Sequence, residues 1–141
     1  MDKKLIEEYI EKKSLRKRFP DINRANSLIK TSEITANAVL KIPINEENAI
    51  LIFREMYEAL RGLGDAEFWK MGYEARQHEP SMRILQDANI KDIIDLNKLN
   101  RFRKIRNDAN YRGYKVTVEQ AKDIVEFWNK YGRLLLSWVR K

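Results

Sequence analysis

The sequence contains no cysteine, a single histidine, three prolines and five glycines in 141 residues. The lack of cysteine excludes disulfides and thiolate metal sites, and one isolated histidine argues against a zinc site. No window of about eighteen residues is continuously apolar, so we expect no membrane-spanning helix. The amino terminus alternates lysine and glutamate and lacks the apolar core of a signal peptide. With no glycine-rich phosphate loop either, we expect a cytoplasmic protein without metal or cofactor.

The scarcity of glycine and proline predicts long regular elements joined by few turns. Hydrophobic residues make up 43% of the chain and charged residues 35%, as is typical of a folded helical protein. No stretch alternates apolar and polar residues as a strand does, and no segment repeats. The length suits one modest core. The sequence therefore predicts a single all-α domain over residues 1–141, a bundle of about five or six helices.

Prolines and capping residues divide the first half of the chain into three predicted helices. The first spans residues 2–18 and has a narrow apolar stripe, and the second ends at about residue 42. The predicted breaks are Pro20 and Pro43, and the predicted caps are Asp21 and Asn45. Glu46 and Glu47 then lie in the first turn of the third helix, where carboxylates favour the helix dipole.

Glycines and polar residues punctuate the middle of the chain. We expect Gly62 and Gly64 to interrupt the third helix. Residues 72–80 are interpreted as a polar connection that holds the single histidine. Ser81 is predicted to cap a short helix over residues 82–88.

Two long helices are predicted in the last third of the chain. The first runs from Asp92 to about Tyr111 and is ended by Gly113. Thr117 and Gln120 fit a capping box at the start of the second, since the glutamine side chain can reach back to the cap. This last helix has a broad, aromatic-rich apolar face, which favours core packing or contact with a partner helix.

Positive charge is concentrated near the end of the 92–111 helix. The chain carries a net charge of +7 with a pI near 9.6. Residues 98–115 contain seven basic side chains and one acidic side chain, Asp108. Such a local excess attracts polyanions by steering and by counterion release. The alternative is a solvated helix face with no ligand.

The same segment carries the residues that could perform chemistry. Helical spacing places Arg106 beside an apolar stripe with Leu99 and Phe102, rather than on the fully exposed face. Asn107 follows Arg106 directly, and Tyr111 lies five residues after it. An arginine held at the edge of a packed seam can grip a phosphate. The alternative is that its stem packs on its neighbours and leaves its head in water.

The pattern of Arg106, Asn107 and Tyr111 before the helix-ending Gly113 and Tyr114 resembles the signature of the HEPN superfamily. These are small helical prokaryotic proteins that are often encoded beside nucleotidyltransferases. The family pattern is an arginine, usually followed by Asn or Asp, and then a histidine after a short gap. In this sequence Tyr111 stands where the family has histidine.

The resemblance implies a helical protomer that forms a homodimer, so that two arginine-containing motifs face each other across a cleft. It implies a metal-independent endoribonuclease of toxin–antitoxin or defence type. Arg106 would steady the scissile phosphate, with Asn107 and Tyr111 as further catalytic residues. The residues expected to contact RNA or nucleotide around them are Arg103, Arg112, Tyr114 and Lys115. A phenol has a reference pKa of about 10 and is a poor base at neutral pH, so binding is expected to survive better than catalysis.

Two other interpretations stay open. In one, the chain is a non-catalytic dimeric module that binds RNA or nucleotide, or that partners a nucleotidyltransferase. In the other, the motif is a helix-packing element of an adaptor protein. His78 likewise has two interpretations, as a surface loop residue or as a proton-transfer group that folds back to Arg106, because histidine titrates nearest neutral pH.

Overall fold

A computed structural model of the chain describes residues 1–88 and 93–141. Within these residues six α-helices form the fold, together with a two-stranded antiparallel sheet and a short 3-10 helix. The predicted all-α helical bundle is confirmed. The helices are α1 (Lys3–Glu11), α2 (Ile22–Val39), α3 (Ala49–Met71), α4 (His78–Ile84), α5 (Ile93–Tyr111) and α6 (Val118–Val139). The strands are β1 (Leu15–Lys17) and β2 (Tyr73–Ala75), and the 3-10 helix is Leu85–Ala88.

The first helix ends at Glu11, and the prediction of a helix over residues 2–18 is wrong for its second half. Lys13 adopts a left-handed conformation with φ of 63°, which turns the chain out of the helix. Residues 15–17 then pair with residues 73–75 and leave Leu15 only 2% exposed. Strands of three residues are too short to show the alternation by which a strand is recognised in a sequence.

Capping side chains set the ends of α2 and α3. Asp21 begins α2 as predicted, because its Oδ1 accepts a hydrogen bond from the Arg24 backbone N–H at 2.9 Å. The prediction of a cap at Asn45 is wrong. Its Oδ1 closes a turn instead, by accepting from the backbone N–H groups of Glu47 and Asn48 at 2.9 and 3.0 Å. Since α3 begins only after Asn48, Glu46 and Glu47 lie ahead of its first turn.

The expected interruption at Gly62 and Gly64 is absent, and α3 continues through both to Met71. A Cβ atom at Gly64 would lie 2.0 Å from the backbone carbonyl oxygen of Ser81 in α4. Glycine is therefore the residue that lets the two helices approach this closely. The helix ends at Gly72, which has φ of 93°.

The segment over residues 72–80 is not a polar connection, because it contains β2 and the first turn of α4. Gln77 precedes α4 and His78 is its first residue. The predicted cap Ser81 lies inside the helix and is fully buried, and its hydroxyl donates to the Asp65 carboxylate rather than accepting from a backbone N–H. The predicted helix over 82–88 is the end of α4 followed by the 3-10 helix.

The ends of the last two helices follow the sequence closely. The predicted start of α5 at Asp92 lies outside the described residues. Gly113, with φ of 68°, ends α5, and the Tyr114 backbone N–H bonds to the Asp108 carbonyl at 3.3 Å. The capping box at the start of α6 is confirmed, with reciprocal hydrogen bonds of 3.0 and 3.1 Å between Thr117 and Gln120.

The core is built around α3, whose Phe53 and Tyr57 side chains are fully buried. Phe102 of α5 lies with its ring centroid 6.1 Å from Phe53 and 5.5 Å from Phe127 of α6. A smaller apolar cluster lies beneath α1 and the sheet, formed by Ile6, Tyr9, Leu15, Phe68 and Ile84. No helix in the described part of the chain has the length and hydropathy needed to cross a membrane.

Candidate functional site

The buried ring of Phe102 fixes the face of α5 that Arg106 occupies. Phe102 is fully enclosed between α3 and α6, and Arg106 follows one helical turn later on the same side. A further turn along, Asn110 accepts a hydrogen bond from Arg54 Nη2 of α3 at 2.5 Å. Arg106 therefore faces α3, between the levels of Phe102 and Asn110. From there its charge acts to lower the pKa of Tyr57 in α3, which burial raises.

His78 joins this site from the first turn of α4. Its Nδ1 lies 3.1 Å from the Tyr57 hydroxyl, and the two ring centroids are 5.6 Å apart. Tyr57 is fully buried and His78 is half-buried. Which of the two groups donates the proton depends on the imidazole tautomer. In either tautomer the hydrogen bond fixes the ring, because the phenol is locked in the core.

Burial and three arginines keep the His78 imidazole neutral. Desolvation lowers the His78 pKa to about 4, with further lowering by Arg61, Arg106 and Arg103. Burial raises the pKa of the Tyr57 phenol, and Arg106 partly offsets that increase. At neutral pH the site therefore holds an uncharged imidazole among three guanidinium groups.

The Arg106 guanidinium has no acceptor among the described residues. It is half-buried, yet it makes neither a hydrogen bond nor an ion pair within that part of the protein. Every other described lysine or arginine that is not largely exposed donates to an oxygen; these are Arg61, Lys70, Arg83, Lys98 and Arg103. Partly buried charges are usually paired because desolvation is costly. Among the described side chains the one fully buried nitrogen without a hydrogen-bond partner is Arg61 Nε. The Arg106 guanidinium is therefore open to solvent, where an anion could supply an acceptor.

A polar ladder between α3 and α4 holds His78 in position. Tyr57, Arg61 and Asp65 follow each other at helical spacing on one side of α3. Asp65 accepts from the Ser81 hydroxyl of α4, and its Oδ2 lies 3.7 Å from Arg61 Nε. Burial raises the pKa of the Asp65 carboxyl, while Ser81 and Arg61 oppose that shift. Two polar contacts one turn apart on α4, at His78 and Ser81, thus fix that helix on α3.

The structure does not bring Tyr111 to Arg106. Asn107 and Tyr111 line a shallow depression of about 370 Å³ with three other residues, and Arg106 is not one of them. Tyr111 is 80% exposed. The reason is geometric, because five residues along an α-helix amount to a rotation of about 140°. The residue expected to assist Arg106 therefore lies on another face.

The predicted RNA-contacting residues are divided between two places. Arg103 lies close enough to lower the pKa of His78, and its Nη2 donates to Asn100 at 3.0 Å. Arg112, Tyr114 and Lys115 are exposed around the end of α5. Arg112 Nε lies 3.8 Å from an Asp108 carboxylate oxygen. Only Arg103 belongs to the His78 site.

Tyr57 and Arg61 belong to the site without having been predicted as site residues. Both lie in a helix that reads as core, and the available signal is the recurrence of polar side chains at positions 57, 61 and 65 of an otherwise apolar segment. The nearness of His78 to Arg106 matches one of its two sequence interpretations. Among the described residues no group of three or more His, Asp or Glu side chains lies close enough together to hold a metal ion.

Comparison of the chain with protein-family models, with curated proteins and with solved structures gives no significant match.

Proposed function

We propose that this protein binds the phosphate backbone of RNA at Arg106 and cleaves it without a metal ion, with His78 as the proton acceptor. The observation that carries the proposal is the half-buried Arg106 guanidinium, which has no partner among the described residues and lies close enough to His78 to lower the imidazole pKa. A guanidinium offers two parallel N–H groups to phosphate oxygens. At pH 7 the His78 imidazole is in the form that accepts a proton, and a phosphate bound at Arg106 would raise its pKa from about 4 towards the range in which a base works best.

The chemistry that suits these groups is transfer of the phosphate within the RNA chain. The ribose 2′-hydroxyl gives its proton to the His78 imidazole, and its oxygen bonds to the adjacent phosphorus. The bond from phosphorus to the 5′ oxygen breaks, and that oxygen takes a proton from water. The products are a 2′,3′-cyclic phosphate and a 5′-hydroxyl end. Arg106 stabilises the charge that develops on the phosphate oxygens.

The HEPN resemblance supplies the wider setting of the proposal. Arg106 and Asn107 match the family pattern, and His78 would provide from α4 the imidazole that the family takes from the position of Tyr111. As in that family, we propose a homodimer in which two Arg106 sites share a basic cleft. A toxin–antitoxin or defence role follows from the resemblance alone.

A second candidate is a non-catalytic module that binds RNA or nucleotide, or that partners a nucleotidyltransferase. The observation that favours it is the separation of Asn107 and Tyr111 from Arg106 by the helix. Tyr111 and Tyr114 are 80% and 58% exposed, so both are accessible to a partner. In this version Arg106 holds a phosphate and no bond is cleaved.

The test is cleavage and binding of mixed cellular RNA in EDTA by the wild type, Arg106→Ala and His78→Gln. Arg133→Ala is the matched control, because Arg133 is an exposed arginine of α6 without a described partner. Cleavage that both site variants lose and the control retains supports the nuclease. Binding without cleavage, weakened by Arg106→Ala, supports the second candidate. If Arg106→Ala changes neither activity, both candidates are wrong.

A further inference from the structure

A second basic surface lies on elements other than α5, where the end of α1, β1 and the segment after β2 enclose a groove of about 530 Å³. Four cationic side chains line it, Lys13, Arg16, Lys17 and Arg76, and none of its lining residues is acidic. All four are exposed, and none makes a side-chain hydrogen bond or ion pair with the described residues. The groove therefore carries a concentrated positive charge; the carboxylate of Glu74, which lies opposite Arg16 in the two strands, is paired with Arg18.

The walls of the groove are fixed by backbone contacts. The left-handed Lys13 is followed by Ser14, whose N–H bonds to the Tyr9 carbonyl at 2.8 Å. The Arg76 N–H bonds to the Ser14 carbonyl at 2.8 Å and extends the pairing of the two strands. The cations thus project from a frame that does not have to be ordered when a ligand binds.

Phe19 lies on the same chain segment, two residues after Lys17. Its side chain is 90% exposed, more than any other large hydrophobic residue described. The backbone on each side is held, because Arg18 N–H bonds to the Gly72 carbonyl at 2.8 Å and Asp21 N–H bonds to the Trp69 carbonyl at 2.9 Å. Two residues span at most about 7 Å of backbone, so the Phe19 Cα atom lies within about 7 Å of the Cα atom of Lys17, which lines the groove.

We propose that this groove and Phe19 form a binding surface for single-stranded RNA, in which the four cations contact phosphates and one base stacks on Phe19. A cationic groove flanked by an exposed aromatic ring is the arrangement used for single strands. The inference rests on the proposed function only for the choice of RNA. It names the substrate as single-stranded, because a paired base does not offer its face to Phe19.

The position of the groove relates it to the Arg106 site. Arg76 and Gln77 line the groove, and the next residue is His78. A strand held in the groove is therefore anchored at the junction of β2 and α4 that also carries the imidazole. The groove would supply affinity, and the Arg106 site would act on a neighbouring phosphate.

The concave shape favours a nucleic-acid strand over an anionic membrane. Lipid phosphates lie in a plane, and a planar array does not reach cations that line a depression. The backbone of one strand is narrow enough to enter it. A membrane surface is nevertheless a distinct outcome of the test, because basic and apolar side chains also bind anionic lipids.

The experiment measures binding of a fluorescein-labelled 12-nucleotide single-stranded RNA by anisotropy over a range of salt concentrations. The variants are Arg16→Ala with Lys17→Ala, Phe19→Ala, and Lys30→Ala with Lys41→Ala as the charge-matched control on exposed positions outside the groove. Since all these side chains are exposed, unchanged circular dichroism and thermal midpoints are expected.

The two groove variants are expected to weaken RNA binding in different ways. Loss of Arg16 and Lys17 should reduce the slope of log Kd against log salt by about 1.4, at about 0.7 per phosphate contact for single strands. Phe19→Ala should weaken binding by about 5-fold to 100-fold without changing that slope. Phe19→Trp should restore the affinity. The Lys30/Lys41 control should bind almost as tightly as the wild type, because it lowers the net charge without removing a cation of the groove.

Four results would overturn the inference. They are wild-type affinity and salt slope in the Arg16/Lys17 variant, no effect of Phe19→Ala, equal binding of duplex and single-stranded RNA, and binding to phosphatidylserine vesicles in place of RNA. Arg106→Ala separates this inference from the proposed function. If it abolishes cleavage while the groove variants bind normally, the groove inference fails and the nuclease stands. If the groove variants lose binding and the wild type never cleaves RNA, the groove inference stands and the nuclease fails.

Discussion

Two faces of α5 carry similar side chains and differ in their surroundings. On one face Arg106 is half-buried and lies close enough to Tyr57 and His78 to lower the pKa of both groups. On the other, Asn107 and Tyr111 line an open depression at the helix end. Coulomb interactions are stronger where less water surrounds the charges, so we expect an arginine on the first face to bind an anion more tightly than one on the second. In the proposed function, the residues that α3 and α4 contribute decide which face of α5 binds the phosphate, and the motif alone does not.

The largest expected effect is a difference in catalytic loss between substitutions on the two faces. His78→Gln should lower kcat/KM for RNA cleavage by about 10²- to 10⁴-fold, the usual contribution of a positioned base. Tyr111→Phe should leave kcat/KM within about 2-fold, since Tyr111 is exposed and away from Arg106. Initial rates on a defined RNA in EDTA give both values. A greater loss with Tyr111→Phe than with His78→Gln would assign the chemistry to the other face.

The packing that positions His78 gives the next largest effect. Gly64→Ala places a Cβ atom 2.0 Å from the Ser81 carbonyl oxygen, so it should lower the free energy of unfolding by about 3 kcal/mol. Gly113→Ala meets nothing within 4 Å and only strains a φ of 68°, which should cost about 1 kcal/mol. Urea unfolding measures both. Equal losses would show that α4 does not pack on α3 as described.

Acidic pH should destabilise the protein through His78. The folded-state pKa of about 4 lies below the unfolded value of 6.5, so the unfolded chain takes up the proton first as pH falls. Stability is then complete above about pH 6.5 and is lost as pH falls towards 4. After allowance for solvent screening we expect on the order of 1–2 kcal/mol.

The difference between wild type and His78→Gln isolates this contribution, because Asp65 titrates in both. Urea unfolding of the two proteins at a series of pH values provides the measurement. Parallel stability curves between pH 4 and 6.5 would show that the His78 pKa is not depressed.

The smallest effect concerns the hydrogen bond that orients the imidazole. Tyr57→Phe keeps the buried ring and removes its hydroxyl, so His78 Nδ1 loses its partner at 3.1 Å. We expect a loss of about 1 kcal/mol in the free energy of unfolding, against no change for Tyr111→Phe. Thermal unfolding resolves this difference. If Tyr57→Phe left the free energy of unfolding unchanged, water would be able to replace the Tyr57 hydroxyl as the hydrogen-bond partner of His78 Nδ1.

Several helix ends could be predicted from the sequence because they depend on hydrogen bonds between residues close together in the chain. The Asp21 cap, the break at Gly113 and the box of Thr117 and Gln120 depend on residues within three or four positions of each other. The sheet had no such signal, because its pairing of Leu15 with Ala75 joins distant segments. The apparent breaks at Gly62 and Gly64 are contact points for other helices, which only the tertiary packing explains.

Only the part of the site that lies within one chain segment could be predicted from the sequence. The segment around Arg106 stands out by charge and spacing, whereas its neighbours Tyr57 and His78 come from two other helices. Tyr111 was assigned to the site by its place in the motif, and helix rotation carries it to a different face. A one-dimensional pattern specifies residue types, and the fold specifies which of them meet.

The most direct test of the central claim is an NMR titration of His78, the single histidine, with and without a 2′-O-methyl RNA oligonucleotide that cannot be cleaved. We predict an imidazole pKa of about 4 in the free protein, rising by at least about one unit when a bound phosphate neutralises the surrounding arginines. Arg106→Ala should abolish most of that rise. A pKa near 6.5 in the free protein, unchanged by the oligonucleotide, would contradict an anion site at Arg106 and His78.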